Sequence, residues 1–369
     1  MQASLANKRK IKVLFTTSNF ETAGSGKVIY DLVRGLDKNK FDVSIACSHD
    51  RGDFFKTVEA LGLPIYIIDT KTPYRPYYKL YGRIKRIRQF FERHDFDIVH
   101  SWQWSNDWTE AVAAKLAGAK WIYTKKAMGF GNKHWKIKSF IADFIITIND
   151  DMRAYFPYKK NQRLIPLGLD THYYANQIDS DKALSQTFKI ITVANLVPVK
   201  GVEVLIKAVG LLENKGISLT ILGAHNNAYG ADMKALVTQL GLEEQVDFIS
   251  KKADVRPYIS RCQLYVIPTL DEGRREGMPM ALVEAMSMGL PVLGSRVSGI
   301  RYVLKDFEQL LFKPGSETAL SEKIQMMMTM SEQDRQSLGN AMRQYCQEHF
   351  ELGKFVFNHE ALYEELVER

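Results

Sequence analysis

Short runs of consecutive apolar residues alternate with stretches of helical period along most of the chain. The run IKVLFTT (11–17) is followed by a predicted helix near 26–36, then FDVSIACS (41–48), a helix near 53–61, and LPIYIID (63–69). A long basic helix is expected near 76–94, followed by the strands FDIVHSW (96–102), KWIYTKK (120–126), FIITIN (144–149) and RLIPLG (163–168). These runs do not alternate polar with apolar. They read as strands covered on both faces, which is the signature of a parallel α/β sheet.

The pattern restarts at FKIITVANL (188–196). A helix near 201–213, ISLTILG (217–223), a helix near 231–240, VDFIS (246–250), QLYVIPT (263–269) and LPVLGS (290–295) complete a second α/β set, and the chain beyond about 316 reads as helical. Residues 170–186 are polar and without period, so they are expected to be the linker. Two doubly wound domains imply a cleft at the carboxyl ends of their strands.

Composition adds a charge asymmetry. Residues 1–178 hold 29 Lys and Arg against 17 Asp and Glu, a net of +12, while the remainder holds 21 against 25, a net of −4. The first half therefore expects an anionic partner. Cys47, Cys262 and Cys346 are scattered without CxxC spacing, which argues against a disulfide framework or zinc site and for a cytoplasmic setting. No apolar run reaches membrane-spanning length, and the apolar part of the N-terminus is too short for a signal-peptide core.

ETAGSGKV (21–28) resembles a P-loop but lacks its first glycine and its Ser or Thr after the lysine, so that reading fails. A glycine-lined βα turn that admits an anion, or a plain turn, remains. In EGMPMALVEAMSMGLPV (276–292), Glu276 precedes a predicted helix over 279–288 and Glu284 lies within it. Eight helical residues span roughly 12 Å, more than the about 5–9.5 Å between paired glycosidase carboxylates. Two carboxylates gripping opposite ends of a long ligand fit better, with phosphate between them at the N–H groups within 277–280, where Pro279 has none. The competing reading is an ordinary helix glutamate at 284 and an N-terminal charge at 276. Lys200, at a strand-to-helix turn in ITVANLVPVKGVEVLIKAV, makes electrostatic sense beside an anion or as a solvated loop lysine.

Together these segments resemble the retaining glycosyltransferase family 4, with its GT-B fold and E-x7-E signature. The likeness is carried by EGMPMALVEAMSMGLPVLGSRVSGIRYVL, LVPVKGVEVLIKA, CQLYVIPT, AGSGKVIYDL, FDIVHSW and LIPLGLDTHYY. It implies two Rossmann-like domains, an acceptor-binding one over 1–175 and a nucleotide-sugar-binding one over 176–350, with a helix over 351–369 crossing back to the first.

The resemblance also implies roles. Glu284 would bind ribose, Glu276 the transferred sugar, and Lys200 the diphosphate, helped by the backbone of Gly277, Met278, Pro279 and Met280. Gly24 would let its loop approach the phosphates, and the stretch at Lys251 and Lys252 would meet the base. Two positions depart from the family pattern. Asn195 stands where an arginine is common, leaving Arg256 or Arg274 and Arg275 as substitutes. Lys126 stands where a catalytic histidine is usual. Lys125, His100 and Trp102 are weaker candidates on the acceptor side, His100 more in keeping with a structural role.

No metal or other cofactor is expected. The expected reaction moves a hexosyl-type sugar from a UDP or GDP sugar to a saccharide or lipid-linked acceptor, in cell-surface polysaccharide or glycolipid synthesis. A non-hydrolysing sugar-nucleotide epimerase and a non-catalytic nucleotide-sugar binder are the alternatives. Residues 74–94 hold seven Arg and Lys, one Glu and six Tyr and Phe, which suits peripheral contact at the inner face of a membrane or a solvated amphipathic helix. No motif supports nucleic-acid binding. If Lys126 supplies catalytic charge, Lys126→Ala lowers turnover far more than melting temperature; unchanged turnover would remove it from the reaction.

Overall fold

The computed structural model describes residues 9–21, 23–175, 187–212, 214–272 and 276–368, without the side chains of 23–25. The chain divides into two compact units. The first comprises residues up to 126, then 130–168 and 352–369; the second comprises 127–129 and 169–351. The expected linker is described only as far as residue 175.

The first unit is built on seven parallel strands: β1 (Ile11–Thr16), β2 (Phe41–Cys47), β3 (Ile65–Ile67), β4 (Ile98–Ser101), β5 (Lys120–Lys125), β6 (Phe144–Thr147) and β7 (Gln162–Leu164). Their order is β3-β2-β1-β4-β5-β6-β7. Connections run one way from β1 to β3 and the other way from β3 to β6. Right-handed crossovers therefore put Ala23–Gly35 and Asp53–Glu59 on one face, and Leu80–His94, Thr109–Leu116 and Lys133–Ile141 on the other. Ile84, Ile87 and Phe91, one stripe of the long basic helix, join Ala111, Ala114, Trp121, Tyr123 and Ile145 in one core. The helices at 109–116 and 133–141 carry no clear apolar stripe, and the sequence pattern did not announce them.

The second unit holds six parallel strands: β8 (Phe188–Val193), β9 (Ile217–Leu222), β10 (Val246–Ile249), β11 (Leu264–Ile267), β12 (Val292–Ser295) and β13 (Leu311–Phe312), in the order β10-β9-β8-β11-β12-β13. Strand β13 is two residues long, too short to show a period. Both units are Rossmann-like, with the strand order reversing beside the first strand of each.

The C-terminal helix Leu352–Glu368 belongs to the first unit, where it packs on Ala23–Gly35 and β1. It brings Tyr363 to His100, whose Nδ1 lies 2.7 Å from the phenol while Nε2 lies 2.8 Å from Thr124 Oγ1. His100 is wholly buried with both ring nitrogens engaged, so it is a core residue and not an acceptor-facing one. Beside it, stacked at 5.7 Å, the buried His359 donates Nδ1–H to the Phe355 carbonyl while Nε2 meets no partner. Burial holds both imidazoles neutral: His100 falls well below the usual range and His359 falls to about 4. As pH drops below about 6.5, the unfolded chain takes up protons that the native core refuses, so stability is lost between there and about 4. Thermal melts should fall over that window less steeply for His359→Phe than for the parent; parallel curves would show that the buried histidine does not set the slope.

Candidate active site

Every strand of the second sheet leaves in the same direction, and the order reverses between β8 and β11. The loops leaving these two strands diverge to opposite faces and open a crevice between them. Lys200 lies on the first loop, in the single turn Pro198–Lys200, and Glu276 lies on the second. Their side chains form an ion pair, each about one-quarter exposed.

The pair depends on two glycines. Gly201 turns the chain at φ 62° into the helix Val202–Leu211, and a Cβ there would stand 2.2 Å from the Pro268 carbonyl oxygen. Gly299, in the helix Ser298–Val303, lets the backbone of Glu276 and Gly277 approach; its Cβ would fall 2.7 Å and 2.6 Å from their carbonyl oxygens. Glu276 is further fixed by an antiparallel bridge to Ala127, a residue of this same unit.

After Glu276 the chain runs through buried Gly277, Met278 and Pro279 into the helix Met280–Ser287. Leu282, Val283, Ala285 and Met286 pack into the core, which leaves Glu284 on the helix's partly exposed side. The Tyr174 hydroxyl donates to Glu284, and the Tyr174 carbonyl accepts from Ser287 Oγ at 3.3 Å. Burial and the Glu284 carboxylate both push the Tyr174 phenol far up, so it remains a donor. Tyr265 feels the same carboxylate. In the first turn of Met280–Ser287, Leu282 N–H already donates to the Pro279 carbonyl at 3.1 Å, which leaves the amides of Met280 and Ala281 ahead of any intrahelical acceptor. The segment 276–287 of this unit thus carries a carboxylate paired to Lys200 of another loop, a helix N-terminus and a second carboxylate.

The other expected residues are dispersed. Asn195 is exposed just beyond β8, and Lys252 is exposed beyond β10. Arg256 grips Asp254 with Nε and Nη2 at 2.8 and 2.7 Å and stacks 3.6 Å over the Tyr173 ring. Its fork is engaged by Asp254 in this structure. Arg274 and Arg275 lie outside the described residues, as do the surroundings of Gly24 in the first turn of Ala23–Gly35.

In the first unit, Lys125 is buried with its ammonium 3.9 Å over Trp135, and Trp102 is wholly buried. Neither side chain offers a free surface to an acceptor. Lys126 lies 4.7 Å over the half-exposed Trp104. A polar cluster at this unit's own β1/β4 reversal has no signature in the sequence: Ser18 Oγ donates to Gln103 Oε1 at 2.8 Å, and Lys71 Nζ reaches both at 3.3 and 3.2 Å. Tyr174 is equally silent, because a tyrosine in a polar stretch gives no hint of a carboxylate partner more than a hundred residues away.

Residues 22–173 match the family described as Glycosyltransferase Family 4, and residues 175–345 match Glycosyl transferases group 1. The chain belongs to the family 4 glycosyltransferases. The amylovoran biosynthesis glycosyltransferase AmsK of Erwinia amylovora is 30% identical over 41% of this chain and 38% of its own length. An uncharacterized glycosyltransferase of Haemophilus influenzae is 24% identical over 80% of this chain and 84% of its own. Among solved structures, a glycosyltransferase from Rickettsia africae superposes with a TM-score of 0.86 at 15% identity, covering 97% of this chain and 99% of that one. Anabaena HepE in complex with UDP and glucose gives 0.80 at 17% identity, covering 96% and 99%. These superpositions establish the GT-B type of fold.

Because Gly299 has no room for a side chain, Gly299→Ala should destabilise by about 1–3 kcal/mol and displace Glu276 from Lys200. A urea melt with the wild-type midpoint would show that the loop yields freely.

Proposed function

We propose that this glycosyltransferase transfers a hexosyl-type sugar, with retention of anomeric configuration, from a nucleoside diphosphate sugar to a saccharide or lipid-linked acceptor in surface polysaccharide or glycolipid synthesis. The observation that carries this reading is the Lys200–Glu276 pair at the β8/β11 reversal, with Glu276 in the loop that leads directly into the helix Met280–Ser287. The pathway rests on relatives named for amylovoran and colanic acid biosynthesis, and a UDP donor on HepE.

The diphosphate competes with Glu276 for Lys200. When it arrives, the ammonium turns to the phosphate oxygens and the freed carboxylate accepts hydrogen bonds from the sugar hydroxyls. The first-turn amides add fixed donors that need no reorganisation. Negative charge grows on the phosphate as the glycosidic bond breaks, so these groups bind the transition state more tightly than the ground state. Glu284, oriented by Tyr174, accepts from the ribose diol. In this reading no protein group attacks the sugar. The leaving phosphate takes the acceptor proton on the same face, and Lys200 holds that phosphate in place.

A thermal-shift panel of UDP-, GDP- and ADP-sugars tests the donor claim. Ligand at 100 times Kd adds about 2.7 kcal/mol of stability, and Glu284→Ala should remove most of the shift. If no nucleotide sugar raises the melting temperature, the donor assignment fails. Anomer analysis of the transferred sugar then decides between retention and inversion.

A further inference from the structure

We propose that the helical face of the first unit carrying Leu80–His94 and Lys133–Ile141 docks on an anionic lipid bilayer. This rests on surface chemistry and is independent of the donor assignment.

The two helices share a face of the sheet, with Thr109–Leu116 between them. Leu80–His94 buries Ile84, Ile87 and Phe91 and leaves Lys85, Arg86 and Arg93 exposed. Of its other cations, Arg88 pairs with Glu92, and Arg83 donates to the carbonyls of Pro73 and Arg75 at 2.8 and 2.9 Å. That second contact ties the preceding turn to the helix and fixes how the turn is presented. The turn and the start of the helix carry aromatics a soluble surface would ordinarily cover: Tyr77 is 63% exposed, Tyr78 80% and Tyr81 76%. Lys79 lies 5.6 Å over the Tyr78 ring.

Lys133–Ile141 repeats this chemistry. Lys133, Lys136, Ile137 and Phe140 fall at i, i+3, i+4 and i+7, one helical stripe, and all four are exposed, Phe140 at 77%. The stripe that should be polar is half apolar. Tyr74 joins the two segments, stacking on His134 at 4.7 Å and lying 6.3 Å from Tyr77. Aromatic rings flanked by ammonium and guanidinium groups suit the headgroup layer, where the ring enters the acyl boundary and the cation meets phosphate. A nucleic acid would use the cations but leave Ile137 and Phe140 in water. The charge asymmetry has the matching sense: the first unit holds 31 Lys and Arg against 20 Asp and Glu, a net of +11, while the second holds 19 against 22, a net of −3, so the first is the one that an anionic surface attracts. Among the described residues no helix is long and apolar enough to cross a membrane, so the contact would be peripheral.

The test is co-sedimentation of the full chain with vesicles of phosphatidylglycerol and phosphatidylcholine in equal parts, against phosphatidylcholine alone. The chain should pellet with the first and not the second. Lys133→Glu with Lys136→Glu should lower the partition coefficient by more than about tenfold, as should Tyr78→Ser with Phe140→Ser, which leaves the charge intact. Lys207→Glu with Lys305→Glu, the same charge change on exposed positions of the second unit, should leave it unchanged. Failure of the wild type to pellet overturns the proposal, as does equal loss in the patch and control variants. Binding to a DNA duplex without binding to vesicles would assign the surface to nucleic acid and overturn it as well.

Discussion

A parallel strand leaves its sheet in one direction only, and that constraint puts Lys200 beside Glu276. In the second unit the strands β8 and β11 are neighbours whose connections run to opposite faces. Their exit loops are therefore the two pieces of chain that can meet across the reversal point without a helix between them. Gly201 and Gly299 then remove the side chains that would hold the loops apart. The ion pair follows from topology and two missing methyl groups.

The same arrangement keeps the pair within reach of solvent. Each partner is about one-quarter exposed, between the surface setting where ion pairs contribute little to stability and the buried one where desolvation offsets their attraction. In the proposed function the pair supplies an ammonium and a carboxylate, each exchanging its partner for a ligand group of the right sign. Glu284 is held differently. Its tyrosine partner sits in a buried setting where the phenol stays protonated, so the phenol donates and the carboxylate accepts.

Much of this was legible in the sequence, for identifiable reasons. The strands appeared as apolar runs because both faces of each sheet are covered; Glu284 stood out as a charge inside an apolar helix, and Glu276 and Lys200 as charges at helix N-termini where an anion would sit. The helix at 109–116 did not, because its alanines carry almost no periodic signal, and β13 did not because two residues have no period. Lys125 reads as a surface cation by composition, yet it ends β5 against the face of Trp135, a partner that only the fold supplies. His100 reads as a possible ligand-binding group until the C-terminal helix covers it with Tyr363. Arg256 reads as a free guanidinium until Asp254 and Tyr173 are seen to hold it. Each miss is a contact between residues distant in sequence or a close backbone approach, which local pattern cannot encode.

The central claim is that Glu276 and a nucleoside diphosphate compete for Lys200, and calorimetric titration of UDP into the parent and into Glu276→Gln measures it directly. UDP carries no sugar, so the variant loses nothing that the carboxylate would have bound. The account predicts that Glu276→Gln binds UDP more tightly than the parent while transferring little sugar. Weaker or equal UDP binding by the variant would contradict it.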